Sequence, residues 1–98
     1  MPAVLEAPVH ARQRLSVDQL RAEALALYAE ARKRGVTQVA LSGQIGTTQS
    51  AISAAVNAAP EEASTHAAVY VRLINGLSDR YLVVKEERVE FRVERKAE

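Results

Sequence analysis

Apolar residues recur at helical spacing along most of the chain and alternate with polar ones near its end. A first helix is predicted to begin at Ser16, which has the spacing of a capping box with Gln19, and to run to about Arg34, before Gly35. Glu23 is expected to point away from the core. The buried stripe of this helix is predicted to comprise Val17, Leu20, Ala24, Leu27 and Ala31.

Residues 38–57, QVALSGQIGTTQSAISAAVN, predict two further short helices joined by a tight turn. Gly46 stands at the turn, where it takes a positive φ without strain. Thr47 or Thr48 is predicted to cap the second helix. The inward-facing residues of the first helix are predicted to be Val39, Leu41 and Ile45. Those of the second are predicted to be Ala51, Ile52, Ala55 and Val56.

A fourth helix is predicted to follow from Pro60, which suits the first turn of a helix. It is expected to run to Asn75 and to be stopped by Gly76. A shorter version that begins after Ser64 or Thr65 fits the same pattern.

The pattern then changes to alternation, which predicts a two-stranded hairpin with one apolar side over residues 81–85 and 88–94. Its turn is expected to span four or five residues, because Glu86 and Glu87 do not readily take positive φ. A lone hairpin is barely stable in water. It therefore either covers the core of its own chain or pairs with another chain.

These elements predict a mainly α protein with a C-terminal β-hairpin, an α+β fold. A flexible N-terminal arm is expected over residues 1–15, with a short added strand as the alternative, because this segment contains prolines and no periodicity. Residues 16–76 are expected to form a helical helix-turn-helix domain with its motif at 38–57. Residues 77–98 form the hairpin.

The outward side of the motif is uncharged, since no charged residue lies between Thr37 and Pro60. Short amides and hydroxyls of this kind can pair with base edges in the major groove of DNA. Arg32, Lys33 and Arg34 immediately precede the motif. They are predicted either to contact phosphates or to complement the C-terminal dipole of the first helix, and both roles can hold together.

The motif resembles the Cro repressors of lambda-type bacteriophages and, more loosely, the wider Cro/repressor class. The resemblance rests on the run Gln49-Ser50-Ala51-Ile52, on Gln38 at the start of the first motif helix and on Gly46 at the turn. It covers about a fifth of the chain and implies a four-helix Cro-like domain. The predicted base contacts are Gln49, Ser50, Ser53, Thr48 and Asn57. The predicted DNA-backbone contacts are Gln38, Arg34, Lys33 and Thr47.

In that family a C-terminal hairpin forms the homodimer contact, which here implies Val89, Phe91 and Val93. A homodimer would meet a near-palindromic operator with one recognition helix in each of two successive major grooves. The resemblance thus implies a sequence-specific double-stranded DNA-binding regulator that represses by promoter occlusion.

Composition agrees with a small regulator. Ninety-eight residues suggest one domain, and 48% hydrophobic and 26% charged residues are typical of a globular protein. The chain has no cysteine, no apolar run of about 18 residues and no secretion signal, so a cytoplasmic location in a prokaryotic or phage-infected cell is expected. No cofactor, small-molecule ligand or membrane partner is evident. A net charge of +1 is low for a nucleic-acid binder.

Other functions compete with this interpretation. The Ala-rich stretch 51–59 fits a helical adaptor that binds a protein partner through Ile52 or Val56. Residues 43–46 have the GxxG spacing of RNA-binding KH domains, but they carry no basic residue and lack flanking strands. An enzyme is not expected, because neither His10 nor His66 has nearby paired carboxylates or metal-ligand spacing.

Overall fold

A computed structural model describes residues 14–79, 81–85 and 91–96. Over these residues the chain is mainly helical and carries a small antiparallel sheet. In chain order the elements are β1 (Arg14–Leu15), α1 (Val17–Lys33), α2 (Gln38–Ile45), α3 (Gln49–Asn57), a 3₁₀ helix (Pro60–His66), α4 (Ala67–Leu77), β2 (Tyr81–Lys85) and β3 (Phe91–Arg95).

Local sequence signals set the ends of the first three α-helices. The capping box at the start of α1 is confirmed. The backbone N–H of Gln19 donates to Ser16 Oγ at 3.2 Å, and the backbone N–H of Ser16 donates to Gln19 Oε1 at 2.9 Å. Thr48, not Thr47, caps α3, because its Oγ1 accepts from the amide of Ala51. Gly46 ends α2 with φ 73°, as a left-handed turn residue.

Helices and sheet share one hydrophobic core. Helix α1 packs mainly against α4, and α4 also contacts β2. The largest fully buried side chains are Tyr70, Phe91, Leu15, Leu20, Leu41, Ile52, Leu73, Ile74 and Val93. Because these come from both strands and helices, the hairpin is part of the same folded unit as the helix-turn-helix.

Two predicted orientations are wrong. Val39 is 62% exposed, because it lies two residues, or about 200°, from Leu41 and so on the opposite side of α2. Glu23 is only 3% exposed, because it lies three residues after Leu20 and therefore beside the buried stripe of α1. Glu23 was expected to face solvent because its carboxylate is polar, but its position on the helix turns it toward the core.

The predicted fourth helix is two elements, a 3₁₀ helix followed by α4. Gly76 does not stop α4, which runs to Leu77. Its role is close packing: a Cβ built on Gly76 would lie 2.5 Å from Cγ2 of Ile45 on α2. The absence of a side chain thus lets α2 and α4 approach each other.

The sheet has the strand order β1-β3-β2, with Leu15 opposite Phe91 and Val83 opposite Val93. Of the two alternatives for residues 1–15, the short added strand is confirmed at Arg14 and Leu15, which form β1 with Leu15 buried, and the flexible arm is wrong for these two residues. Residues 1–13 lie outside the described residues. The predicted hairpin turn, Glu86–Glu87, and the first residues of its predicted second strand, 88–90, also lie outside them.

The apolar side of the hairpin faces its own chain. Phe91 is 2% exposed and Val93 is fully buried, so neither offers a surface to a second chain. Val89, the third predicted dimer contact, lies outside the described residues. The arrangement matches the alternative in which the hairpin covers its own core.

The free edge of β2 is occupied by α4. The Val83 N–H donates to Asn75 Oδ1 at 2.6 Å, and Asn75 Nδ2 donates to the Val83 carbonyl at 3.1 Å. A side-chain amide thus takes the place of a neighbouring strand. The Tyr81 N–H is likewise bonded, to Ser78 Oγ. Because unpaired edge groups are what another strand would bind, this edge is largely closed to pairing with another chain.

Three basic side chains donate to carbonyls at helix ends. Arg21 donates to the carbonyl of Ala58 after α3, and Lys96 to those of Asn75 and Ser78 at the end of α4. Arg72 donates to the carbonyls of Ile45 and Gly46 at 3.3 Å each, where α2 meets the turn. Cations stabilise helix C-termini, so these charges serve the fold.

Candidate nucleic-acid interface

An open depression of about 470 Å³ lies where α2 and α3 begin. Its lining residues are Gln38, Gln49, Ser50, Ser53 and Ala54. Gln38 is the first residue of α2 and Gln49 the first residue of α3, so the turn brings both helix starts to one place. The lining carries amides, hydroxyls and one methyl group, and no formal charge.

A chain of hydrogen bonds links three helices at this depression. Gln38 Nε2 donates to the hydroxyl of Tyr28 on α1 at 2.8 Å. Gln49 Nε2 in turn donates to Gln38 Oε1 at 3.5 Å, which is longer than the usual range of about 2.7 to 3.2 Å and makes this the weaker of the two bonds. Gln49 itself is exposed, whereas Tyr28 and Gln38 are half-buried. The exposed amide of Gln49 is therefore supported from behind by a second amide.

The other predicted base contacts differ in their surroundings. Ser50 is exposed beside Gln49, and Ser53 is half-buried one turn further along α3. Thr48 is exposed, but its Oγ1 accepts the capping bond from Ala51. Asn57 lies at the far end of α3, where its Nδ2 donates to the carbonyl of Ser53 at 2.9 Å. Asn57 is thus folded back along its own helix and does not line the depression.

Helix α3 is held firmly on its inner side. Ile52 and Ala55 are fully buried, as the helical stripe predicted, while Val56 is half-buried. The hydroxyl of Tyr70 on α4 donates to the carbonyl of Ala55 at 2.7 Å, in the core. The outer surface of α3 therefore rests on a packed support, which gives its exposed side chains a defined position.

Of the predicted backbone contacts, Gln38 lines the depression, whereas Arg34, Lys33 and Thr47 do not. Arg34 is the exposed C-cap residue of α1, four residues before Gln38. Lys33 is exposed and lies 3.6 Å from the carboxylate of Glu30, an exposed pair that contributes little to stability. Thr47 is half-buried in the turn. The positive ends of the α2 and α3 dipoles add electropositive character where the side chains have none.

Two residues at the depression, Tyr28 and Ala54, carry no sequence signal for their roles there. Nothing in the linear pattern connects Tyr28 with Gln38, ten residues away. Ala54 has no polar group that would single it out in the sequence, yet it forms part of the wall of the depression.

The described part of the chain holds no group of three or more histidine, aspartate and glutamate side chains that could hold a metal ion. Over the same residues, no helix has both the length and the apolar character that crossing a membrane requires. No known family model, curated protein or solved structure matches the chain. The function is therefore inferred from the chemistry of the site itself.

Proposed function

We propose that the protein is a sequence-specific double-stranded DNA-binding regulator of the Cro-like helix-turn-helix type. The observation that carries the proposal is the depression at the start of α3, where exposed uncharged amides and hydroxyls stand on a buried support. A helix with such a surface fits the major groove, in which base edges present hydrogen-bond donors and acceptors.

The chemistry of the surface indicates which bases it selects. Glutamine pairs well with adenine, and serine is permissive. Ala54 offers a methyl group, which suits contact with the methyl group of thymine. The commonest guanine contact uses arginine or lysine, and α3 contains neither. The base pairs that face α3 are therefore expected to be rich in A and T.

Phosphate contacts would come from the rim of the surface. Arg34 and Lys33 supply positive charge next to α2, while Gln38 and Thr47 supply polar groups. Arg21, Arg72 and Lys96 donate to carbonyls at helix ends, so these three side chains are less available for phosphates. With a net charge of +1 and only Arg34 and Lys33 predicted as charged phosphate contacts, non-specific binding should be weak and should fall only moderately as salt rises.

A homodimer on a pseudo-palindromic operator, with repression by promoter occlusion, stays a prediction from the resemblance. The protein would then act at the nucleoid of a prokaryotic or phage-infected cell. Neither Phe91 nor Val93 is exposed to form the dimer contact, so a two-fold partner would have to use another surface. The adaptor alternative has less support, because Ile52, one of its predicted partner contacts, is fully buried.

Selection of bound duplexes from a random DNA pool tests the proposal. We expect one enriched, A/T-rich motif; two inverted copies at a spacing of about 10 base pairs would indicate a dimer. A chain that enriches no motif and shows no salt-dependent binding to any duplex would contradict the proposal.

Two substitutions then test the assignment of residues. Gln49→Ala should weaken binding to the enriched site by about 1 to 3 kcal/mol and blur one base position. Arg34→Ala should weaken binding to all duplexes alike and lower the salt dependence. The matched control for Gln49→Ala is Gln44→Ala, near the end of α2. The matched control for Arg34→Ala is Arg95→Ala, on the sheet. Equal effects of Gln49→Ala on specific and random DNA would contradict its role in base recognition.

A further inference from the structure

We propose that Tyr28 is a positioning residue for base recognition, acting through Gln38 on Gln49. This inference rests on the proposed function and assigns a specificity role to a side chain on α1, outside the helix-turn-helix motif. The hydrogen-bond geometry carries it: Tyr28 Oη accepts from Gln38 Nε2 at 2.8 Å, and Gln38 Oε1 accepts from Gln49 Nε2 at 3.5 Å.

The arrangement holds an exposed side chain at a fixed place. A glutamine at the surface has three rotatable bonds and loses rotamer entropy when it binds a base. Gln38 limits that freedom for Gln49, but Gln38 begins a helix and is itself long and flexible. The Tyr28 side chain has fewer rotatable bonds than glutamine and is half-buried against the core. It therefore supplies the rigid end of the chain.

The Tyr28 hydroxyl holds the Gln38 amide in place, but it does not decide whether Oε1 or Nε2 of that amide faces the tyrosine. A phenolic hydroxyl both donates and accepts, so it bonds the amide whichever way that amide is turned. Because Gln38 Nε2 is the donor here, Gln38 Oε1 is left to accept from Gln49. The Oε1 of Gln49 and one of its N–H groups remain for a base, the pair that adenine requires.

The test is Tyr28→Phe, which removes one oxygen and keeps the ring. Affinity for the enriched site should fall about three- to tenfold, because the freed Gln49 side chain must then be ordered on binding, and preference should weaken at the same base pair that Gln49→Ala blurs. Affinity for random duplexes should fall less, because there only the backbone contact predicted for Gln38 is affected, and the salt dependence should not change, because no charge is altered. Tyr81→Phe, the same change on the sheet, is the matched control. It should change neither the affinity for the enriched site nor the base preference.

A double-mutant cycle separates positioning from a structural role. In a Gln49→Ala background, Tyr28→Phe should have little further effect, because the side chain that it positions is gone. An equal loss in both backgrounds, or an unchanged site preference in Tyr28→Phe, would overturn the inference while leaving the proposed function standing. If the unmodified protein selects no motif at all, the proposed function fails and this inference fails with it.

Discussion

The contact between Gly76 and Ile45 sets how closely α4 approaches α2, and it makes Gly76→Ala an informative substitution. A Cβ on Gly76 would lie 2.5 Å from Ile45 Cγ2 and 3.5 Å from Ile45 Cβ. Ordinary contact begins at 3.4 Å, so the first distance is short by 0.9 Å (3.4 − 2.5). Ile45 cannot readily turn away, because it is 7% exposed and a β-branched side chain in a helix keeps one rotamer.

Two opposing effects decide the magnitude. Overpacking of this kind costs about 1 to 3 kcal/mol. Replacing glycine by alanine within a helix recovers about 0.5 to 1 kcal/mol of that cost. We therefore expect Gly76→Ala to lower the free energy of unfolding by up to about 2.5 kcal/mol, and Tm by up to about 20 °C for a chain of this length.

Gly43→Ala is the matched control, because Gly43 also lies within a helix but a Cβ there meets nothing within 4 Å. It should raise stability by about 0.5 to 1 kcal/mol. Urea denaturation followed by circular dichroism measures both variants, with the midpoint shifting at constant slope. If Gly76→Ala were as stable as Gly43→Ala, the close approach of α2 and α4 would be refuted.

Two further substitutions test other contacts. Tyr70→Phe removes the hydroxyl that donates to the buried carbonyl of Ala55, so we expect a loss of about 1 to 3 kcal/mol in urea denaturation; an unchanged midpoint would show that the bond contributes nothing. Asn75→Ala removes both bonds to Val83 and opens the edge of β2, so it should lower stability and promote association in sedimentation experiments. Unchanged stability and association would exclude a protective role for Asn75.

Part of the candidate site follows from local pattern. Helical periodicity separates buried Ile52 and Ala55 from exposed Gln49 and Ser50 on α3, because side chains three or four residues apart share one side of a helix. The absence of charge from that exposed side is a property of composition alone. Periodicity does not reveal how a side chain bends, and Asn57 therefore turns back to Ser53 where a base contact was expected.

Local sequence preferences account for the starts of α1 and α3, the end of α2 and the change from helical to alternating spacing, but not for the bounds of α4. Ser16 and Thr48 cap helices and Gly46 reverses the chain because these preferences depend on groups within about four residues. The tertiary structure alone decided that β1 completes the sheet and that the apolar side of β3 is buried within its own chain. It also brought Tyr28 to Gln38 and Gly76 to Ile45. Those contacts depend on the packing of elements distant in sequence, which no local preference specifies.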